Sequence, residues 1–143
     1  MKIGLLGAGR LGICFALLLD KAGYEVIASD IREDYVSNLR SGIIKTSEPQ
    51  VSKLLSESKN ITFVNNNTDV IKECDLIYTF VATPSLPDGS YDISCIRQII
   101  KDIKKCKSDA FNKSLVIGCT TNPGDCDDFQ NHLRPYGVDV YYN

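Results

Sequence analysis

Short, nearly continuous apolar runs recur along the chain, and stretches with helical spacing lie between them. Apolar runs of this length are typical of strands that are buried on both faces of a parallel sheet. The run 76–81 is nearly continuous in apolar residues and is therefore predicted to lie near the centre of the sheet. The predicted strands, about six, are 3–6, 25–29, 61–64, 76–81, 114–119 and 138–141.

The stretches between these runs are predicted to form helices. Segment 11–22 is apolar on all sides, as expected of a helix packed on a sheet, and Gly23 follows at the usual C-terminal position. Segment 93–106 carries isoleucines at helical spacing, which predicts an amphipathic helix. The other predicted helices are 33–40, 51–58, 68–73 (capped by Thr68 or Asp69) and 125–134, and the predicted loops are 43–50 and 83–90.

Strands that alternate with helices predict a Rossmann-type α/β fold, a doubly wound parallel sheet with helices on both faces. Right-handed crossovers place the loops after the strands at one edge, where such folds bind ligands. The length of 143 residues suits one domain, so residues 1–143 are expected to form a single dinucleotide-binding unit.

Composition and charge narrow the function classes. The net charge of -2, with no basic block, gives no support for binding to nucleic acid or to a membrane surface. The apolar segment 1–19 is interrupted by Arg10 and by glycines and is too short to span a bilayer, so a cytoplasmic protein is expected. The six cysteines form no C-x-x-C pair and have only His132 beside them, which predicts reduced thiols and no metal site.

The strongest motif is the glycine loop Gly7-Ala8-Gly9-Arg10-Leu11-Gly12, which follows a predicted strand and opens a predicted helix. In dinucleotide-binding folds the first glycine permits the tight turn, the second admits the diphosphate and the third lets helix and strand pack closely. The amides near Arg10 and Leu11, with the helix dipole behind them, favour a diphosphate. A glycine-rich turn that binds nothing, or one that binds FAD, is the alternative.

Asp30 ends the second predicted strand, eighteen positions after Gly12. In such folds an acid about twenty residues beyond the loop accepts hydrogen bonds from the adenosine ribose, and its charge repels a 2′-phosphate. This favours NAD over NADP, although Arg32 could partner a phosphate. The alternative role for Asp30 is a helix cap or a solvated turn acid.

With these elements placed, the chain resembles the N-terminal domain of the UDP-glucose/GDP-mannose dehydrogenase family along essentially its whole length. The third of four matching stretches is the most specific, because other glycine-loop dehydrogenases lack its combination of Thr-Pro and Asp-Gly. The four stretches are 1–12 running on to Asp30, 39–42 with Glu48-Pro49, Val81-Ala82-Thr83-Pro84 with 88–94, and Cys119-Thr120-Thr121-Asn122-Pro123-Gly124.

The resemblance implies an oxidation of a nucleotide sugar's primary alcohol to a uronic acid, with two NAD molecules reduced. It implies that Thr83 contacts the cofactor. It also implies that Thr120 lies beside the nicotinamide, where the family's threonine hydroxyl helps to organise the catalytic water and base. The alternative for both residues is a strand-end threonine that caps the next turn.

The chain departs from the family pattern at several positions. Gly118 stands where a lysine is common, Cys119 replaces a serine, and Tyr35 occupies a position that is often lysine. Asn122 and Asp125 replace a proline and a threonine. These departures leave the predicted fold intact and weaken the expectation of full catalytic competence.

The resemblance also implies what a complete enzyme requires beyond this chain. The family's Asn-Pro-Glu-Phe segment would begin at Asn143, and its nucleophilic cysteine lies in the C-terminal half, so Cys119 is not that nucleophile. We therefore expect the family's central helix and C-terminal substrate domain to be absent and the nucleotide sugar to bind only when that half is supplied. The oligomeric state is not predicted.

Two other functions remain open from the sequence. One is a stand-alone NAD-binding module used for sensing or assembly, without turnover. The other is a dehydrogenase for a hydroxy acid or sugar phosphate, against which Thr83-Pro84 and segment 88–94 argue.

Overall fold

The computed structural model describes residues 1–143, apart from the side chain of Ser108. All six strands pair in parallel, in the order β3-β2-β1-β4-β5-β6, so the predicted Rossmann-type sheet is confirmed and the fourth strand is central. The strands are β1 (Lys2–Leu6), β2 (Glu25–Ser29), β3 (Ile61–Val64), β4 (Leu76–Thr79), β5 (Lys113–Ile117) and β6 (Val138–Tyr142).

Six α-helices connect the strands, and two short 3-10 turns follow the last two of them. Within the described chain, no helix is long and apolar enough to cross a membrane. The helices are α1 (Arg10–Lys21), α2 (Glu33–Arg40), α3 (Val51–Glu57), α4 (Asn67–Glu73), α5 (Ser94–Cys106) and α6 (Asp125–Leu133), and the 3-10 turns are Lys107–Ala110 and Arg134–Tyr136.

The sheet separates two hydrophobic cores, as the alternation of side chains along each strand requires. Leu5 and Ala28 face the core formed with α1, α2 and α3. Leu6 and Ile27 face the core formed with α4, α5 and α6. Helices therefore cover both faces, and the loops that follow the strands are left at one edge.

Two predicted strands continue too far. Strand β4 ends at Thr79 and β5 at Ile117, whereas the apolar runs predicted 81 and 119. The amides of Phe80 and Gly118 still donate hydrogen bonds to the neighbouring strands, at 2.8 Å to Leu6 and 3.0 Å to Thr79. Beyond them the chain after β4 passes close to the glycine loop, where a Cβ on Gly7 would lie 2.5 Å from the Phe80 carbonyl oxygen. Phe80 and Val81 are apolar because they line the edge of the sheet and not because they extend it.

The cap predicted for α4 is also wrong. The side-chain oxygen of Asn66, not Thr68 or Asp69, accepts a hydrogen bond at 3.0 Å from the Asp69 amide. Asn66 in turn donates a hydrogen bond of 2.9 Å to the Asp69 carboxylate. Asn66 is therefore the N-cap residue, and the helix starts at Asn67, one residue earlier than predicted.

Candidate functional site

Two of the three loop glycines are required by the protein's own packing. Gly7 has a φ of +100°, a conformation that residues with a Cβ rarely adopt. A Cβ on Gly12 would lie 1.9 Å from the carbonyl oxygen of Gly7. The close approach of β1, its turn and α1 therefore depends on glycine at both positions.

Gly9 is different, because the described protein gives no packing reason for a glycine there. Its φ is -65°, and a Cβ built on it would meet no atom within 4 Å. The residue that caps α1 thus leaves open space in front of the helix. The sequence predicts that a diphosphate approaches the backbone at this glycine, and the open space leaves room for it.

The head of α1 offers hydrogen-bond donors to such a ligand. Gly9 is the N-cap and no side chain caps the helix in the described structure. The first amides of an α-helix have no partner within the helix, and the helix dipole makes their end favourable for an anion. The amides of Arg10 and Leu11 therefore suit the role predicted for them.

The Arg10 side chain forms an ion pair with Glu48, and it is 80% exposed. Glu48 belongs to the loop 43–50, which the sequence predicted to be irregular. The contact brings the second family stretch to the glycine loop. The two residues are 38 positions apart in the sequence, so no local pattern predicted that they lie close together.

Asp30 is buried at the end of β2, with an exposure of 8%. Its Oδ1 accepts hydrogen bonds from the Arg32 amide at 3.1 Å and from Nε at 2.8 Å, and its Oδ2 accepts one from Nη2 at 2.8 Å. Burial favours a higher pKa, but the hydrogen bonds and charge of Arg32 outweigh it and hold the pKa of Asp30 below its usual value. Asp30 does stabilise a turn, and its role toward a ribose stays a prediction.

Tyr35 connects this acid to the glycine loop. Its hydroxyl donates a hydrogen bond of 2.9 Å to the Ala8 carbonyl, and the Arg32 guanidinium lies 4.1 Å from the centre of its ring. The tyrosine thus replaces the family's lysine with an uncharged side chain that supports Arg32. The replacement is visible in the sequence, whereas this contact is not predicted by any local pattern.

Thr83 and Thr120 lie together in one pocket of about 330 Å³ at the carboxyl ends of β4 and β5. Within the described chain, neither hydroxyl has a hydrogen-bond partner, so neither caps a turn as the alternative proposed. The structure therefore brings the two threonines together beside the glycine loop. The pocket residues are Leu11, Phe80, Val81, Thr83, Gly118, Cys119, Thr120, Tyr142 and Asn143.

Gly118, where the family pattern has a lysine, is explained by the aromatic ring beside it. A Cβ on Gly118 would lie 2.5 Å from Cε1 of Phe80, so the phenyl ring takes the space of a side chain. Next to it, the Sγ of Cys119 lies 3.7 Å from the Thr79 hydroxyl. Burial raises the pKa of the Cys119 thiol, which disfavours a thiolate nucleophile at this position.

The departures Asn122 and Asp125 act together. Asn122 Oδ1 accepts a hydrogen bond of 2.8 Å from the Tyr91 amide, and Nδ2 donates one of 3.2 Å to the Tyr91 carbonyl. The Asp125 carboxylate accepts hydrogen bonds from the Asn122 amide and from Nδ2, at 2.7 and 2.9 Å. The pair therefore fastens the third family stretch to the fourth.

Asn122→Ala removes the hydrogen bonds of the side chain to the Tyr91 backbone and to Asp125. We expect it to destabilise the chain by about 2 kcal/mol, since each bond has a net value of about 1 kcal/mol. The Tyr91 amide should also exchange its hydrogen faster, since its partner is removed. Denaturant unfolding and hydrogen exchange measure the two effects. Asn131→Ala, an exposed asparagine in α6, is the control. An unchanged exchange rate at Tyr91 would contradict the proposed fastening.

Comparison with known proteins agrees with this geometry. Residues 1–140 match the family model described as "UDP-glucose/GDP-mannose dehydrogenase family, NAD binding domain". The UDP-glucose 6-dehydrogenase TuaD of Bacillus subtilis (strain 168) is 29% identical over 105 residues, which cover 71% of this chain and 23% of TuaD. The UDP-glucose 6-dehydrogenase of Rickettsia bellii (strain RML369-C) is 26% identical over 142 residues, which cover 96% of this chain and 32% of that protein.

Solved structures show the same fold. A ternary complex of the GDP-mannose dehydrogenase from Pseudomonas aeruginosa superimposes with a TM-score of 0.90 at 21% identity, over 100% of this chain and 36% of that one. The chain thus spans little more than a third of these proteins at most.

Proposed function

Because the chain belongs to the UDP-glucose/GDP-mannose dehydrogenase family as its NAD-binding domain, we propose that it supplies the cofactor half of a nucleotide-sugar dehydrogenase. The reaction would oxidise the primary alcohol of the sugar to a uronic acid in two two-electron steps, with a water oxygen added before the second, and two NAD molecules would each accept one hydride. The sugar would bind only when a C-terminal half is present. A cytoplasmic location belongs to the same proposal.

The observation that carries this proposal is the open space at Gly9. The protein's own packing explains Gly7 and Gly12 but not Gly9, and the uncapped head of α1 lies directly behind it. We propose that the diphosphate of NAD binds there, to the amides of Arg10 and Leu11. The carboxylate oxygens of Asp30 can accept more hydrogen bonds than Arg32 donates to them. With these remaining acceptor sites, Asp30 then binds the hydroxyls of the adenosine ribose.

At the other end of the cofactor, the pocket that contains Thr83 and Thr120 would receive the nicotinamide. Within the described chain, both hydroxyls are free to donate and to accept hydrogen bonds. A group that orients water without changing its own charge needs this freedom. Thr83 would contact the cofactor. Thr120 would help to position the water and the base, and the base would come from a C-terminal half.

Calorimetric titration of NAD and NADP tests the cofactor part. The wild-type chain is expected to prefer NAD, and Asp30→Ala should weaken NAD binding by about 1–2 kcal/mol, the value of a charged hydrogen bond. Asp34→Ala removes the same charge from an exposed position nearby and is the control. Equal affinity of the wild type for both dinucleotides would remove the role assigned to Asp30.

Reconstitution tests the catalytic part. The chain is mixed with a C-terminal half taken from TuaD, and NADH formation is followed by absorbance with UDP-glucose or GDP-mannose as substrate. Turnover is expected only with both halves present, and Thr120→Val should lower it while NAD still binds. Intact NAD binding without turnover with any C-terminal half would favour a stand-alone NAD-binding module.

A further inference from the structure

The guanidinium of Arg32 is held in a fixed position at the edge of the sheet. Nε and Nη2 donate to the two oxygens of Asp30, both at 2.8 Å, and the group lies 4.1 Å from the centre of the Tyr35 ring. The Arg32 side chain is nevertheless 57% exposed. A positive charge thus stands beside the carboxylate, with part of its surface open to a ligand.

This charge is of the type that binds phosphate. The planar fork of a guanidinium matches the oxygens of a phosphate as well as those of a carboxylate. In Rossmann-type folds the acid at the end of the second strand binds the ribose 2′-hydroxyl, and NADP carries its extra phosphate on that hydroxyl. A 2′-phosphate would therefore arrive where Asp30 and Arg32 already bind each other.

We propose that Arg32 is a specificity-determining residue and that Asp30 excludes NADP in two ways. The carboxylate repels the 2′-phosphate, and it also occupies the guanidinium that would otherwise bind this group. Tyr35 keeps the guanidinium in place through its ring when the carboxylate is removed. The inference rests on the proposed NAD site and adds to it a cation, Arg32, that the Asp30 carboxylate neutralises.

The test measures NAD and NADP affinities by calorimetry in four proteins, namely the wild type, Asp30→Ser, Arg32→Ala and the double variant. Asp30→Ser is expected to tighten NADP binding about tenfold, as a new charged hydrogen bond would. The double variant should lose this gain. Arg32→Ala alone should continue to reject NADP, because the carboxylate remains.

Two further variants complete the design. Asp34→Ser removes an exposed acid four residues away and should leave NADP binding unchanged, which separates the local effect from net charge. Asp30→Asn keeps the shape of the side chain and removes its charge, and it serves if Asp30→Ser fails to fold. Its gain should be smaller, because the amide oxygen can still accept a hydrogen bond from Arg32.

The outcomes separate this inference from the proposed function. A gain in NADP affinity that disappears with Arg32→Ala supports the inference. Wild-type binding of NAD without any gain in Asp30→Ser and Asp30→Asn, or a gain that persists in the double variant, overturns it and leaves the NAD site standing. If the wild type bound neither dinucleotide, the NAD site and the inference would both be wrong.

Discussion

Gly9→Ala is expected to weaken NAD binding about a hundredfold and to leave the fold almost untouched. The added methyl group meets no protein atom within 4 Å, so it enters only the space assigned to the diphosphate. A displaced diphosphate would lose hydrogen bonds from the α1 amides, each about 1.5–3 kcal/mol for a charged partner. Two such bonds account for an effect of this size.

The stability of Gly9→Ala should change by less than about 1 kcal/mol. Alanine at an N-cap is less favourable than glycine, whereas the loss of glycine reduces the freedom of the unfolded chain, and the two effects oppose each other. Denaturant unfolding measures the stability and calorimetry the affinity. Normal NAD affinity in a folded Gly9→Ala chain would show that the diphosphate does not pass over residue 9.

Gly12→Ala is the same chemical change three residues later, and its expected effect is on the fold. The Cβ would lie 1.9 Å from the Gly7 carbonyl oxygen, which is a backbone atom and cannot rotate away. Overpacking of this kind costs typically 1–3 kcal/mol and sometimes more, and we expect about 3 kcal/mol here. Denaturant unfolding measures it.

The two alanine variants serve as controls for each other. Loss of binding with normal stability at position 9, and loss of stability at position 12, would separate the ligand-facing glycine from the packing glycine. If Gly12→Ala were as stable as the wild type, the close contact of α1 with the turn after β1 would be wrong.

The hydrophobic pattern was sufficient to predict the order and type of the main elements. Buried isoleucines at helical spacing, such as Ile96 and Ile103, predicted α5 because burial in this fold follows the helical period. The ends of β4 and β5 were not predictable in the same way. Phe80 and Cys119 continue the apolar runs, but they line the pocket at the edge of the sheet. At this edge an apolar residue is no longer a sign of strand pairing.

The candidate site was predictable in its residues and less so in its contacts. The glycine loop and Asp30 are local motifs. Their spacing along the chain indicates the turn after the first strand and the end of the second strand, where they are placed. The pairing of Arg10 with Glu48, and of Asn122 with the Tyr91 backbone, joins positions 38 and 31 residues apart. Such contacts depend on how loops from different strands meet, which no local pattern encodes.

A crystal structure of the chain grown with NAD tests the central claim most directly. We expect the diphosphate within hydrogen-bond distance of the Arg10 and Leu11 amides, over Gly9, with the adenosine ribose at Asp30 and the nicotinamide at Thr120. NAD bound elsewhere, or a site at the head of α1 that stays empty in saturating NAD, would contradict it.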